Sequence, residues 1–164
     1  MKTLLLIRHA KSSWDDLLLH DFDRPLNARG LKDAPIMAQR LVAKKIKIDG
    51  FISSPAKRAK STCELFMKEF AVNKKEMILQ TQIYLASPEV LLEAVKQINN
   101  QFETAAVFAH NSGITDFANS LTGLKVDNMP TCSVFAVKVH TDNWSEFKTA
   151  KKEFLFFDYP KSLK

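Results

Sequence analysis

The stretch KTLLLIRHA, residues 2–10, decides the architecture: an apolar run of Leu4, Leu5, Leu6 and Ile7 ends abruptly in Arg8 and His9. A short continuous apolar run reads as a strand buried on both faces, as in a parallel sheet. Such a strand commonly stops in a turn of Gly, Asn or Asp. Two large side chains able to carry positive charge must instead be solvated, paired or bound to something. Two later runs end in a similar way. Residues 48–53 deliver Ser53 and Ser54, with Arg58 one turn into the segment that follows, and Thr104–Ala109 delivers His110 and Asn111.

Helical signals lie between these runs. Asn27 is placed to cap a helix running to about Lys45, with Leu31, Met37, Ala38 and Leu41 on its inner face. Pro35 inside that segment predicts a kink or a later start. Ser54-Pro55 and Ser87-Pro88 each join a capping side chain to a proline at the first helical position, and the second opens a helix to about Asn99. Residues 77–80 read as a weak strand and 113–122 as a further helix. Residues 133–140 and Lys152–Asp158 flank a polar turn at 141–146 and predict an antiparallel hairpin. Phe66, Met67 and Phe70 are assigned to helix packing. Phe154, Phe156 and Phe157 are assigned to the last strand, on its core face or in an oligomer contact. Strands alternating with helices predict an α/β three-layer sandwich: a mostly parallel central sheet, helices on both faces and an antiparallel edge near the C-terminus. No repeat, low-complexity tract or linker divides residues 1–164, so one domain is expected.

Composition narrows the partners. The formal net charge of +6 is carried largely by lysine groups such as Lys44, Lys45 and Lys47 or Lys151 and Lys152. They read as solvated surface, and the aromatic interleaving used for base stacking is missing, so nucleic acid is not the expected partner. No apolar run reaches the length of a membrane span, and Met1-Lys2 leads straight into the first strand, so neither a span nor a signal peptide is expected. Two scattered cysteines, Cys63 and Cys132, suggest no disulfide framework or zinc site, and the cytoplasm is the expected compartment. Arginine is more selective. Arg8, Arg24, Arg29, Arg40 and Arg58 all lie in the first half of the chain.

In an open parallel sheet, ligands bind beyond the carboxyl ends of the strands. If the three runs are neighbours, Arg8, His9, Arg58 and His110 converge there. Guanidinium groups suit bidentate grips on phosphate oxygens, and a helix amino terminus near Ser54-Pro55 adds backbone donors. A neutral imidazole among these cations can attack phosphorus, its pKa lowered by the neighbouring charge. A second imidazole can donate to the transferring phosphoryl oxygens. Taken singly, each residue has a plain structural reading, as a satisfied histidine or a surface arginine. The joint pattern points to an anion site.

LLLIRHAKSS, DRPLNARG, ISSPAKRAKST and VFAHNSGI, in that order through residues 4–114, resemble the histidine phosphatase superfamily, and more narrowly its small bacterial SixA-type phosphohistidine phosphatases. The resemblance implies that His9 is the nucleophile, transiently phosphorylated. It implies that Arg8 and Arg58 grip the phosphoryl group, that His110 stabilises it in transfer, and that Arg24 is directed to the phosphate. Asn111, beside His110, joins Arg8, Arg24 and Arg58 as a substrate-binding candidate. No metal or cofactor is implied.

This sequence departs from the superfamily pattern at two places. Ala10 stands where glycine is common, which puts the backbone of the pocket floor in question. The mid-chain Glu or Asp general acid of many members has no clear counterpart. Glu89 in QTQIYLASPE reads as a charge in the first turn of a helix. Residues 11–24 form a long polar segment of the kind that is usually functional. Its Asp15, Asp16, Asp21 and Asp23 either supply an acid or merely solvate the loop and pair with Arg24 and Lys11. A pocket without an acid favours P–N over P–O substrates, because imidazole leaves more readily than an alkoxide. No long insertion is present to form a cap, so an open site suited to a macromolecular substrate is expected. The reading is a phosphatase working through phosphohistidine on His9, its substrate a phosphorylated protein such as a histidine phosphotransfer domain. A phosphomonoesterase of broad or small-molecule specificity and a non-catalytic phosphoprotein-binding domain remain as alternatives.

Overall fold

Strand β1 (Lys2–Arg8) takes a central place because its apolar run feeds both faces of one sheet. Leu4 and Leu6 enter one core and Leu5 and Ile7 the other, all fully buried. The computed structural model describes residues 1–162. The remaining strands are β2 (Gly50–Ser53), β3 (Ile78–Leu79), β4 (Thr104–Ala109), β5 (Val134–Val139) and β6 (Lys152–Asp158), in the order β3-β2-β4-β1-β5-β6. β1, β4, β2 and β3 pair in parallel, and β5 runs antiparallel to both β1 and β6. The sheet is therefore mostly parallel, with its reversal at the C-terminal side.

Helices α1 (Ala28–Ala43) and α2 (Lys57–Glu69) cover the face of Leu5 and Ile7 with Met37, Leu41, Phe66 and Met67. Helices α3 (Pro88–Lys96) and α4 (Gly113–Leu121) cover the other with Leu91, Val95 and Phe117. This is the α/β sandwich expected. Asn27 caps α1, accepting from the Gly30 N–H at 2.9 Å, and the helix continues through Pro35 without a delayed start. Ser87 caps α3 through Val90 N–H, and the helix ends at Lys96 rather than near Asn99.

Three expectations are corrected. Leu31 is exposed, because the inward stripe of α1 runs through Gly30, Ala34, Met37, Ala38 and Leu41. A side chain at position 30 could not fit there, since its Cβ would lie 2.2 Å from the Lys11 carbonyl oxygen. Ser54-Pro55 does not open α2, which starts at Lys57 with Ala56 as an uncapped N-cap. Ser54 Oγ instead accepts from the Ala56 N–H in a local turn. The supposed polar turn at 141–146 holds the fully buried Trp144, with Phe147 beside it, and these plug the core under α3 and α4. In the last strand, Phe156 and Phe157 pack partly against the two cores while Phe154 is exposed. Among the described residues, no helix is long and apolar enough to cross a membrane.

Candidate active site

The register of the sheet gathers the functional side chains. Arg8 pairs with Ala109 and Ser53 with Phe108, so His9, Ser54 and His110 all emerge at the same carboxyl end. There a cavity of about 210 Å³ is lined by Arg8, His9, Arg24, Arg58, His110 and Asn111, together with Lys11, Ser12, Trp14, Leu85 and Thr131. Every residue singled out in the sequence for catalysis or binding reaches this cavity.

His9 is 7% exposed. Its Nδ1 lies 2.7 Å from the Ala10 carbonyl, which can only accept, so Nδ1 carries the hydrogen. Nε2 keeps its lone pair and accepts from Arg58 Nε at 3.3 Å. Burial pushes the His9 pKa down to about 4; the bond to Ala10 opposes this, and the charges of Arg58, Arg8 and Arg24 lower it further. The neighbouring charge expected from the sequence thus takes second place to desolvation.

The turn carrying His9 is fastened from two sides. The Cys132 N–H donates to the carbonyls of both Arg8 and His9 at 3.0 Å, from a left-handed backbone with φ of 63°. That conformation costs a non-glycine residue free energy, which the surrounding bonds offset. On the other side the Ala10 N–H donates to Thr62 Oγ1, which donates in turn to the Arg58 carbonyl. Ala10 has no positive φ, and its methyl group is fully buried in the core beside α1. Alanine therefore fits here without strain.

His110 is 2% exposed, its ring centroid 5.2 Å from that of His9. Nε2 sits 2.7 Å from Ser54 Oγ. Ser54 uses one lone pair on the Ala56 N–H, and its own hydrogen is available to Nε2, the arrangement in which His110 carries its hydrogen on Nδ1. Burial, then the proximity of His9 and Arg58, pushes the His110 pKa down to about 3. Both imidazoles are accordingly neutral at physiological pH.

Arg8 donates from Nη1 to the Met129 carbonyl, and its Nε is buried without a partner. Among the described residues, the buried side-chain nitrogens and oxygens lacking a hydrogen bond are Arg8 Nε, His110 Nδ1 and Ser133 Oγ. The first two belong to cavity-lining residues. Buried donors are nearly always satisfied, so this pair marks a place for acceptor oxygens. Asn111 reaches the cavity, but its amide is engaged with Asn128 Oδ1, the Met129 carbonyl and Thr115 Oγ1. It fastens the wall.

Of the carboxylates left open by the sequence, Asp21 is at the site. It stands in a single helical turn, Asp21–Asp23, above α2. Its Oδ2 accepts from Arg58 Nη2 at 2.9 Å and from the Tyr84 hydroxyl at 2.5 Å. Its Oδ1 accepts from Arg24 Nε and Nη2, and its carbonyl from Arg58 Nη1. Burial alone would raise this carboxyl; the bonds from Tyr84 and Arg58 and the guanidinium charges override it and hold the pKa at about 2. Asp21 is thus ionised and no proton donor near neutrality. Asp15, Asp16 and Asp23 are exposed, with Asp16 closing a local turn through the Leu18 N–H. Glu89 lines a separate groove with Leu92 and Phe117.

Sequence reasoning missed Ser54 as the partner of His110, Asp21 as the bridge between Arg24 and Arg58, and Tyr84, whose ring meets that of His110 edge-on at 5.5 Å. Ser54 and Tyr84 stand inside motifs already singled out, but their partners are remote in sequence. Among the described residues, no group of three or more His, Cys, Asp or Glu side chains is placed to hold a metal ion.

Comparison with known proteins bears on the family and the fold. Residues 4–79 match the family model of the histidine phosphatase superfamily (branch 1). The chain is 29% identical over 153 residues to an uncharacterised chloroplastic protein of Arabidopsis thaliana, covering 88% of this chain and 70% of that protein. Its fold superposes on the protein histidine phosphatase SixA complexed with tungstate with a TM-score of 0.82 at 19% identity, covering 99% of both chains. A structure from Agrobacterium tumefaciens, also described as a SixA phosphohistidine phosphatase, gives 0.81 at 20% identity, over 97% of this chain and 98% of that one.

Proposed function

We propose that the chain is a SixA-type histidine phosphatase, a reading supported by the family match of residues 4–79 and by the fold it shares with SixA, and that it hydrolyses phosphohistidine on a protein by way of His9. The observation that carries this reading is the state of His9: its hydrogen is fixed on Nδ1, and the Nε2 lone pair stands among Arg8, Arg24 and Arg58.

In the first step the Nε2 lone pair attacks phosphorus, an N–P bond to His9 forms, and the P–N bond of the substrate breaks. The leaving imidazole departs neutral when its other nitrogen is protonated in the substrate, so no enzyme acid is required. In the second step water attacks phosphorus, the His9 N–P bond breaks, and the water proton is shed as inorganic phosphate forms. Arg58, Arg8 and Arg24 balance the phosphoryl charge, and the free hydrogens on Arg8 Nε and His110 Nδ1 supply donors to its oxygens. The low pKa of Asp21 supports a P–N substrate over an ester, since the carboxylate paired with Arg24 and Arg58 has no proton to give an alkoxide.

The test is phosphate release from a histidine-phosphorylated phosphotransfer domain and from an alkyl phosphate ester, phosphoserine, each with His9→Ala as control. Preference for the phosphoprotein, lost in the variant, is expected. Preference for the ester would assign a phosphomonoesterase of small-molecule specificity, and binding without release from either would assign a phosphoprotein-binding domain.

A further inference from the structure

The segment between Ser12 and Arg24, two residues that line the cavity, carries an apolar crest that the proposed chemistry does not use. Leu17 and Leu18 are 84% and 95% exposed, and Trp14 is 66% exposed. Leu19 and Phe22 continue the crest, and Leu85, which lines the cavity, is exposed as well. The crest is tied to the site at both ends. Trp14 lies 3.5 Å over the Arg24 guanidinium, while Phe22 packs on Tyr84, whose ring packs on His110. Isolated exposed leucines need no explanation, but a run of them beside a ligand cavity marks an interaction surface.

We propose that this crest is the docking surface for the protein that carries the phosphoryl group, a folded partner presenting phosphohistidine amid apolar side chains with basic residues at their margin. The inference rests on the phosphatase reading above and names the class of substrate it serves. A cavity of about 210 Å³ holds a phosphoryl group and an imidazole ring but nothing more of a protein. Whatever bears that ring must therefore rest outside the cavity, where the segment between Ser12 and Arg24 presents the exposed Trp14, Leu17 and Leu18. Asp15 and Asp16, exposed within the crest, set the sign of the charge expected opposite. A free small phosphate compound would touch the cavity alone and leave Leu17 and Leu18 in water.

The experiment compares the full chain with a Leu17→Ser, Leu18→Ser double variant on two substrates: a histidine-phosphorylated phosphotransfer domain and phosphoimidazole. Neither leucine belongs to the catalytic or anion-binding machinery. The expected result is a fall in kcat/KM of about tenfold or more for the protein, mostly in KM, with phosphoimidazole turnover changed less than about twofold. Equal losses on both substrates, or no loss on either, would overturn the docking surface. Wild-type turnover of phosphoimidazole without any preference for the protein would overturn it too, while leaving the phosphatase reading in place. Conversion of a wild-type dimer to a monomer by the double variant would assign the crest to a second copy of this chain instead.

Discussion

His9, Ser54 and His110 stand just beyond the ends of hydrogen-bonded strands and are almost wholly buried, whereas Trp14, Leu17, Leu18 and Phe22 ride on a segment held at few points. That segment is closed at its root by the Ser12–Leu26 bridge and the Asn27 N–H to the Lys11 carbonyl. Further along it depends on one carboxylate, Asp21, gripped by Arg24, Arg58 and Tyr84. The floor is thus positioned by backbone ladders, which any apolar strand supplies, and the rim by ion pairs, which a competing anion can rearrange. Substitutions in the floor should change the chemistry, and substitutions in the rim should change what is bound.

The largest effect is expected at the floor. His9→Ala should lower turnover by about four orders of magnitude while thermal unfolding stays cooperative, since the proposed nucleophile is removed. Residual activity near wild type would remove His9 from the chemistry. Arg58 touches both regions, through His9 Nε2 and through Asp21. Arg58→Ala should therefore cost about 100- to 1000-fold in kcat/KM and also raise KM. A change in KM alone would place Arg58 with the rim.

Ser54→Ala sharpens the comparison from within the floor. Losing the bond to His110 Nε2 should lower kcat by about tenfold, and nitrogen NMR of His110 should show a mixture of tautomers in place of the Nδ1–H form. An unchanged tautomer with the same loss would mean that Ser54 acts only through the turn at Ala56. Asp21→Asn probes the rim with a smaller effect of opposite sign. Freed of that negative charge, Arg24 and Arg58 should bind inorganic phosphate about two- to fivefold more tightly, read as a lower inhibition constant. Weaker phosphate binding would show that Asp21 orders the arginines more than it competes with the ligand.

The smallest effect is expected from pH between 5 and 8, where His9 stays neutral. The acid limb of kcat/KM should lie near pH 4, not at the ordinary histidine value of 6.5. Stability moves differently. Both histidines bind protons more weakly folded than unfolded, with folded values of about 4 and about 3. The unfolded chain therefore takes up more protons below pH 6.5, and stability should fall as pH drops from there toward 4. Thermal unfolding followed across that window, for wild type and for His110→Ala, measures the contribution.

The floor was legible because an apolar run ending in charge is a local signal. KTLLLIRHA and TAAVFAH carry both the strand and the residue it delivers, and the parallel order of α/β sheets does the rest. Leu31 was misplaced because a stripe through residues 31, 37, 38 and 41 suits a helix about as well as one through 30, 34, 37, 38 and 41. What decides between them is the close approach of Gly30 to the Lys11 carbonyl, a tertiary contact without a periodic trace. Trp144 and Phe147 were hidden for a related reason: they enter the core from a connection with polar neighbours and no regular spacing. The role of Asp21 was illegible because four aspartates share the loop, and only the positions of Arg24, Arg58 and Tyr84 select one. Ser54 reads as a cap beside Pro55, but its hydroxyl faces His110, a residue 56 positions away.

The most direct measurement is a rapid-quench experiment with a phosphorus-labelled histidine-phosphorylated protein, followed by location of label on this chain. The expected result is a transient, acid-labile and base-stable label on His9 that approaches one per chain and is absent from His9→Ala. Phosphate release with no labelled intermediate, or label that persists in the variant, would contradict covalent catalysis by His9.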